Sequence, residues 1–277
     1  MSISLKSDEE ITLTSTQNKL VYLGDVGVDK YYVLEISGLD LGERIVEAVF
    51  QDNFANKTTK QFDIARTPLG LSGTIPEDLD WPNATYIKDG NSLTAPANKG
   101  HKLSSDFQPV NLVNLRSKGL TTNAEELQLT GEAAEALVKM TSDLMAQKGK
   151  GLIIASGYRS YNTQVQTYLY WVSLYGQEHA DTISARPGFS EHQLGTTLDF
   201  MSPDSGYDFV NTFDQTVAGQ WLLNNSYKYG FVQSYPYGKS DITGYQYEAW
   251  HYRFIGTNQA LEWKESGLTL KQYLEQQ

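Results

Sequence analysis

Ser190-Glu191-His192-Gln193-Leu194-Gly195-Thr196-Thr197-Leu198-Asp199 is the stretch on which the reading of this chain turns. The spacing of His192 and Asp199 would fit two helical turns. Gly195 and the β-branched pair Thr196-Thr197 oppose a helix, however, so His192 is placed on a loop that runs into a strand carrying Asp199. Side chains alternate along a strand, which sends Leu198 and Phe200 to the face opposite Asp199. Further on, Glu248-Ala249-Trp250-His251 supplies a second imidazole and a second carboxylate. In a regular strand Glu248 and His251 would face opposite ways, so they share a site only if the chain bends between them. An irregular approach to the last strand is therefore expected, with Trp250 packed away from the site. Two imidazoles and a carboxylate are a donor set for Zn²⁺, whose catalytic sites keep three protein ligands and an open position for water. His192, Asp199 and His251 are read as the ligands. Glu248 is read as a base beside them, placed to take a proton from bound water. Such sites accept several divalent ions, and zinc is the one expected.

Other polar residues receive plainer readings. His101 sits in a polar loop, and His179 lies just past a helix end, where a cation complements the dipole. Asp204, Asp208 and Asp214 read as solvated charges or helix starts. The tyrosine-rich stretch 168–175 reads as core rather than as a platform for sugars.

The 277 residues suffice for one large domain or two smaller ones. Lys+Arg 22 against Asp+Glu 33 gives 22 − 33 = −11, which argues against nucleic acid and anionic membranes as partners. With no cysteine there are no disulfides and no thiolate ligands, so a metal must be held by His and carboxylates. No apolar run approaches the ~20 residues of a membrane span. Met1-Ser2-Ile3-Ser4-Leu5-Lys6 lacks the basic start and apolar stretch of an export signal. A monomer is the expectation.

Residues 1–66 read as β. Tyr31 to Ile36, Ile45 to Phe50 and Gln61 to Ile64 are strand candidates, and Asp52-Asn53-Phe54-Ala55-Asn56 is turn chemistry between the last two. This stretch resembles the small immunoglobulin-like modules of bacterial surface proteins, and a spacer role is favoured over wall binding. Residues 67–93 look like a linker, punctuated by Pro68, Gly70, Gly73, Pro76, Pro82 and Gly90, with Trp81 and Tyr86 able to dock on the next domain. Residues 94–277 form the second domain. Ala133, Ala136, Leu137, Met140 and Leu144 predict a helix from about Glu132 to Gln147, N-capped by Thr130 and stopped by Gly149. A strand is expected over Leu152 to Ala155. A helix from Tyr161 to Tyr175 should turn Val165, Leu169, Val172 and Leu174 inward. A strand over Thr196 to Met201, a helical stretch from Phe213 to Tyr229, a strand from Tyr247 to Ile255 and a last helix from Thr257 to Tyr273 complete the reading. Helices and short strands without βαβ alternation predict an α+β fold.

Three blocks in order carry a family resemblance. They are Ser156-Gly157-Tyr158-Arg159-Ser160-Tyr161 with Gln164, then Ala185-Arg186-Pro187-Gly188-Phe189-Ser190-Glu191-His192-Gln193-Leu194-Gly195 with Asp199, then Tyr247-Glu248-Ala249-Trp250-His251-Tyr252-Arg253. The chain resembles the VanY-type D-alanyl-D-alanine carboxypeptidases, zinc peptidases of the lysostaphin–VanX type, over about residues 94–277. The resemblance implies a small antiparallel sheet flanked by helices around a zinc site. It implies removal of a terminal D-alanine from peptidoglycan stem peptides, as a DD- or an LD-carboxypeptidase, outside the cell or in the bacterial cell wall. It implies His192, Asp199 and His251 as ligands, Glu248 as general base and Arg159 as the cation beside the scissile carbonyl. Gln164 and Ser190 are implied substrate contacts. The sequence departs from the family at Ala249, usually Pro, and at Thr196-Thr197, usually a smaller apolar pair; these bear on substrate preference and remove no donor. Two other readings stay open: an endopeptidase with the same zinc site, and an inert wall-binding protein. Both Glu248 and Arg159 speak against the second, because a structural zinc needs neither.

Overall fold

The computed structural model describes residues 79–206 and 211–277, together with the backbone of six strands between residues 2 and 66. The chain forms two compact units, one holding those strands and the other holding, of the described residues, 79–205 and 211–277. In the first, Ser2–Ser7, Asp29–Ile36 and Asn18–Val26 make one antiparallel sheet, with Asp29–Ile36 central. Glu10–Leu13, Gly42–Gln51 and Lys57–Arg66 make another, with Gly42–Gln51 central. The three predicted strands fall within Asp29–Ile36, Gly42–Gln51 and Lys57–Arg66. The turn at Asp52 to Asn56 lies outside the described residues, as do the side chains on which an immunoglobulin-like reading would rest.

Of the expected linker, residues 67–78 lie outside the described residues. From Leu79 on the chain is part of the second unit: Leu79 is buried with Tyr168 and Ala180, Asp80 pairs with Lys102, and the Arg186 guanidinium lies 3.9 Å from the centre of the Trp81 ring.

The second unit is built on a four-stranded antiparallel sheet in the order Ile153–Ser156, Thr197–Met201, His251–Phe254, Phe231–Gln233. Period-two alternation divides it. Ile154, Leu198, Phe200, Phe231, Tyr252 and Phe254 fill one face. The helix Gly131–Lys148 packs there through Ala133, Ala134, Leu137, Met140 and Leu144, joined by Ala218, Trp221 and Leu222 of the helix Val217–Asn225. Truncating one of these aromatic side chains would cost ~3–5 kcal/mol, so the sheet is a stiff platform for whatever its other face carries. Asp199 and His251 lie on that other face. Leu198 and Phe200 thus face away from Asp199, as their spacing predicts.

Local differences from the sequence reading have local causes. Thr130 occupies the N-cap position of the first helix, without a side-chain cap bond, and Gly149 ends it in the left-handed conformation. The stretch from Phe213 to Tyr229 is interrupted: a 3₁₀ turn, the helix Val217–Asn225 capped by Thr216, and a second 3₁₀ turn. The last helix is two, Thr257–Ser266 and Leu270–Leu274, because Gly267 takes φ +69° and Thr269 opens a new capping box with Gln272. The strand expected from Tyr247 is confined to His251–Phe254. Among the described residues no helix is long and apolar enough to cross a membrane.

Candidate metal centre and cleft

Ser190 opens the site. Its hydroxyl accepts from the His192 backbone N–H at 3.3 Å and caps a 3₁₀ turn, Glu191–Leu194. Gly195 ends the turn at φ +69°, where a side chain would be strained and a Cβ would come within 2.8 Å of Pro109. The chain then enters the strand Thr197–Met201, so His192 precedes the sheet and Asp199 sits in it. Asp199 is the direct cross-strand neighbour of His251 on one side and of Ser156 on the other. A register shift between Ile154 and Ser156 sets the second pairing. Residues 248–250 are irregular, and the bend brings Glu248 Oε2 to 3.3 Å from His251 Nδ1. The expected irregular approach to the strand is present.

His192, Asp199 and His251 are all buried and present donor atoms within 4.8 Å of one another. His192 Nε2 lies 3.3 Å from Asp199 Oδ2, and His251 Nδ1 lies 3.0 Å from Asp199 Oδ1. The far nitrogen of each ring is committed elsewhere. His192 Nδ1 donates to Gly157 O at 2.8 Å, and Gly157 lies so close to the chain at Gln128 that a Cβ would come within 2.6 Å of a carbonyl oxygen. His251 Nε2 donates to Glu191 Oε2 at 3.0 Å. With the outer nitrogens protonated, His192 Nε2 and His251 Nδ1 present lone pairs to the same point beside Asp199, an arrangement that fits a divalent metal.

The electrostatics agree. Burial holds His192 below its ordinary range, which favours the neutral imidazole a ligand must be. Burial opposes ionisation of Asp199, but His192 and His251 hold its carboxyl well below the usual range. Burial would lower His251, yet hydrogen bonds to Asp199 and Glu191 carry it up to about 10. The extra proton sits on the nitrogen facing Asp199, and a metal ion would replace it. Glu248 is pushed up to about 7, first by burial, then by Asp199 and Glu191, against the pull of His251 and Arg159. Burial pulls the Arg159 guanidinium below its ordinary value, against the attraction of Asp199 and Glu248.

These groups line a cleft of about 340 Å³, whose walls include Arg159, Trp171, Ala185, Ser190, Tyr235 and Glu248. Arg159 is carried on the segment after Ser156, and its backbone N–H donates to His192 O at 3.1 Å. Ser190 both caps the turn and lines the cleft. Gln164 does not line it: fully buried, its amide donates to Ala185 O at 2.6 Å and to Ser184 Oγ at 3.4 Å, tying down the segment that forms one wall. Trp250 packs partly on the core but also lines the cleft, so it is not wholly turned away. His101 bonds Asn98, and Asp204 bonds Lys150, both outside the cleft. Asp208 lies outside the described residues. His179 stands within a short helix, Gln177–Ile183.

One participant was missed. Glu191 accepts from His251 Nε2, from Ser234 Oγ at 2.6 Å and from Arg253 Nη1 at 3.2 Å. Arg253 is fully buried, and its other nitrogen donates to Leu93 O and Ala95 O. Burial alone would raise the Glu191 carboxyl, but His251, Arg253 and Ser234 together bring it to about 2. The only sequence signal was its adjacency to His192. Glu191→Gln is expected to weaken metal binding by about 10–100-fold, measured by competition with a chromogenic chelator. Unchanged affinity would show that His251 needs no such support.

The comparisons with known proteins bear on this arrangement. A sequence profile of the family described as VanY, D-alanyl-D-alanine carboxypeptidase, matches residues 126–257. The putative carboxypeptidase YodJ of Bacillus subtilis is 36% identical over 190 residues, 68% of this chain and 69% of that protein. The solved LdcB LD-carboxypeptidase, described with the basis of its peptidoglycan recognition, is 36% identical with a TM-score of 0.64, covering 69% of this chain and 90% of that one. A variant of the vancomycin-resistance D,D-pentapeptidase VanY, solved in complex with Zn(II), is 30% identical with a TM-score of 0.55, covering 66% of this chain and 99% of that one.

Proposed function

The chain belongs to the VanY-type D-alanyl-D-alanine carboxypeptidase family, and on that premise we propose that its cleft removes a terminal D-alanine from peptidoglycan stem peptides. It is a zinc metallopeptidase of that family. The observation that carries the reading is the buried His192, Asp199 and His251 cluster in a cleft that Glu248 and Arg159 also line.

His192 Nε2, an Asp199 oxygen and His251 Nδ1 would hold the metal. Bound zinc supplies Lewis-acid polarisation of the scissile carbonyl and a lowered pKa for water. Glu248 is the group that takes the proton of the attacking water and returns it to the leaving amine. Arg159, a permanent cation, faces the charge that develops on the carbonyl oxygen, an effect worth about 3–4 kcal/mol for one such donor. Burial strengthens both interactions, because the local dielectric is low. Ser190 offers its hydroxyl at the cleft wall, and Gln164 acts from behind by fixing Ala185. Residues 94–277 are the catalytic domain, and the β-rich residues 1–66 are an immunoglobulin-like spacer. Such a substrate places the protein outside the cell, in or at the wall.

Purified zinc-loaded protein is expected to remove a single alanine from a defined tetra- or pentapeptide muropeptide, read by mass, and to stop when a chelator is added. Cleavage inside the stem would reassign the chain to the endopeptidases. No release from tri-, tetra- or pentapeptide would leave an inert wall-binding protein.

A further inference from the structure

The helix Tyr161–Tyr175 reads Tyr-Asn-Thr-Gln-Val-Gln-Thr-Tyr-Leu-Tyr-Trp-Val-Ser-Leu-Tyr and holds no charged residue, in a chain that is 20% charged. Its inner face is made by Gln164, Val165 and Tyr168, with Leu169 and Val172 packed partly beneath. Its outer face is not the apolar core its sequence predicts. Tyr170, Leu174 and Tyr175 are 51%, 50% and 56% exposed. The aromatic rings there are ordered into a continuous ladder. Tyr170 meets Trp171 edge-on at 5.1 Å, Trp171 lies nearly parallel to Tyr175 at 5.9 Å, and Tyr175 meets His179 edge-on at 5.2 Å.

The ladder is continuous with the cleft. Thr167, Trp171 and Tyr175 are four residues apart in turn and so form one row along the helix. The first two line the cleft that holds the metal centre, and the third stands outside it on the surface. A row of rings leading out of a peptidase cleft across a neutral helix calls for a ligand that is uncharged there. It should also be flat-faced, with C–H groups to set against the electron-rich faces of the rings. The exposed amide of Gln166, one turn before Tyr170, suits hydrogen bonding to ligand hydroxyls beside the rings.

We propose that the Tyr170, Trp171 and Tyr175 ladder is a binding platform for the pyranose rings of the glycan strand that carries the stem peptide. This rests on the carboxypeptidase reading above. A substrate held by its carboxyl end at the metal centre must leave the cleft by its amino end, where the sugar is attached. A four-residue stem spans at most about 14 Å, so the sugar sits close to the cleft mouth.

The test uses the full zinc-loaded chain and one stem peptide, prepared with and without its GlcNAc–MurNAc disaccharide. The wild-type protein is expected to show a KM about tenfold lower for the sugar-bearing form. The double variant Tyr170→Ser/Tyr175→Ser should lose most of that difference by raising KM for the sugar-bearing form alone. Both positions are exposed, and an unchanged KM for the bare peptide reports that the fold and the metal centre are intact. Equal KM values for the two forms in the wild type, or a double variant that affects both alike, would overturn the platform while leaving the peptidase in place. Failure to cut either form overturns the carboxypeptidase reading instead. Titration with the peptide-free disaccharide, followed by tryptophan fluorescence, then decides the platform independently. Saturable quenching that the double variant abolishes supports it, and no binding refutes it. Concentration-dependent dimerisation abolished by the same variant would assign the face to a second copy of the chain and refute the platform.

Discussion

Glu248→Gln is expected to lower turnover by about 10³-fold while zinc remains bound at one per chain. The substitution keeps the size and the dipole of the side chain and removes its basicity. Glu248 is not needed to complete the donor set, since His192, Asp199 and His251 already present their donor atoms to one another. It stands 3.3 Å from His251 Nδ1, close enough to the centre to reach a group bound there. Its surroundings favour proton exchange near neutrality, because burial and the neighbouring carboxylates push it up to about 7. A base works only when ionised, so kcat/KM should rise with pH through the pKa of Glu248 and fall below it. Bound zinc adds positive charge and lowers that pKa, which places the acid limb below pH 7. Alanine release measured from pH 4 to 9, with zinc content determined on the same samples, checks both points. Turnover within tenfold of wild type would assign the base elsewhere. An acid limb unmoved by the substitution would do the same.

His192→Ala should have the largest effect on the metal itself. Removing an outer partner such as Glu191 costs about 10–100-fold in affinity, and removing a donor must cost more. The variant is therefore expected to be purified without stoichiometric zinc and to lack activity at any added concentration that the wild type tolerates. The loss should be local. His192 lies in a 3₁₀ turn held by the Ser190 cap and by Gly195, and its backbone carbonyl still accepts from Arg159 after truncation. Metal analysis checks the first claim, and a cooperative thermal transition checks the second. A folded variant that retains one zinc per chain would remove His192 from the donor set.

How much of this was legible beforehand depended on the distance over which each feature is decided. The helix Gly131–Lys148 was readable because its apolar spacing and its closing glycine lie within the segment itself. So was the loop-to-strand reading of residues 190–199, since Gly195 and Thr196-Thr197 exclude a helix locally. The strand Phe231–Gln233 is not legible in the sequence: three residues just past the helical stretch that ends at Tyr229 carry no period, and pairing with His251–Phe254 decides their state. Leu174 was assigned to the interior by composition, but a helix row turns with its neighbours, and the face through Val165 and Tyr168 is the one that found a partner.

By itself the sequence determined the chemistry available to this protein. Two imidazoles, two carboxylates and a guanidinium are properties of residue type, and with no cysteine present they exclude a thiolate site. Tertiary structure alone decided which groups act together. Asp199 and His251 are 52 residues apart and become neighbours through strand register. Glu191 and Ser234, 43 residues apart, meet behind His251. Gln164 is turned from the cleft to its supporting wall, and Tyr170 and Tyr175 are left on the surface. These outcomes depend on which faces remain after the core has formed, and packing over long sequence separations sets that.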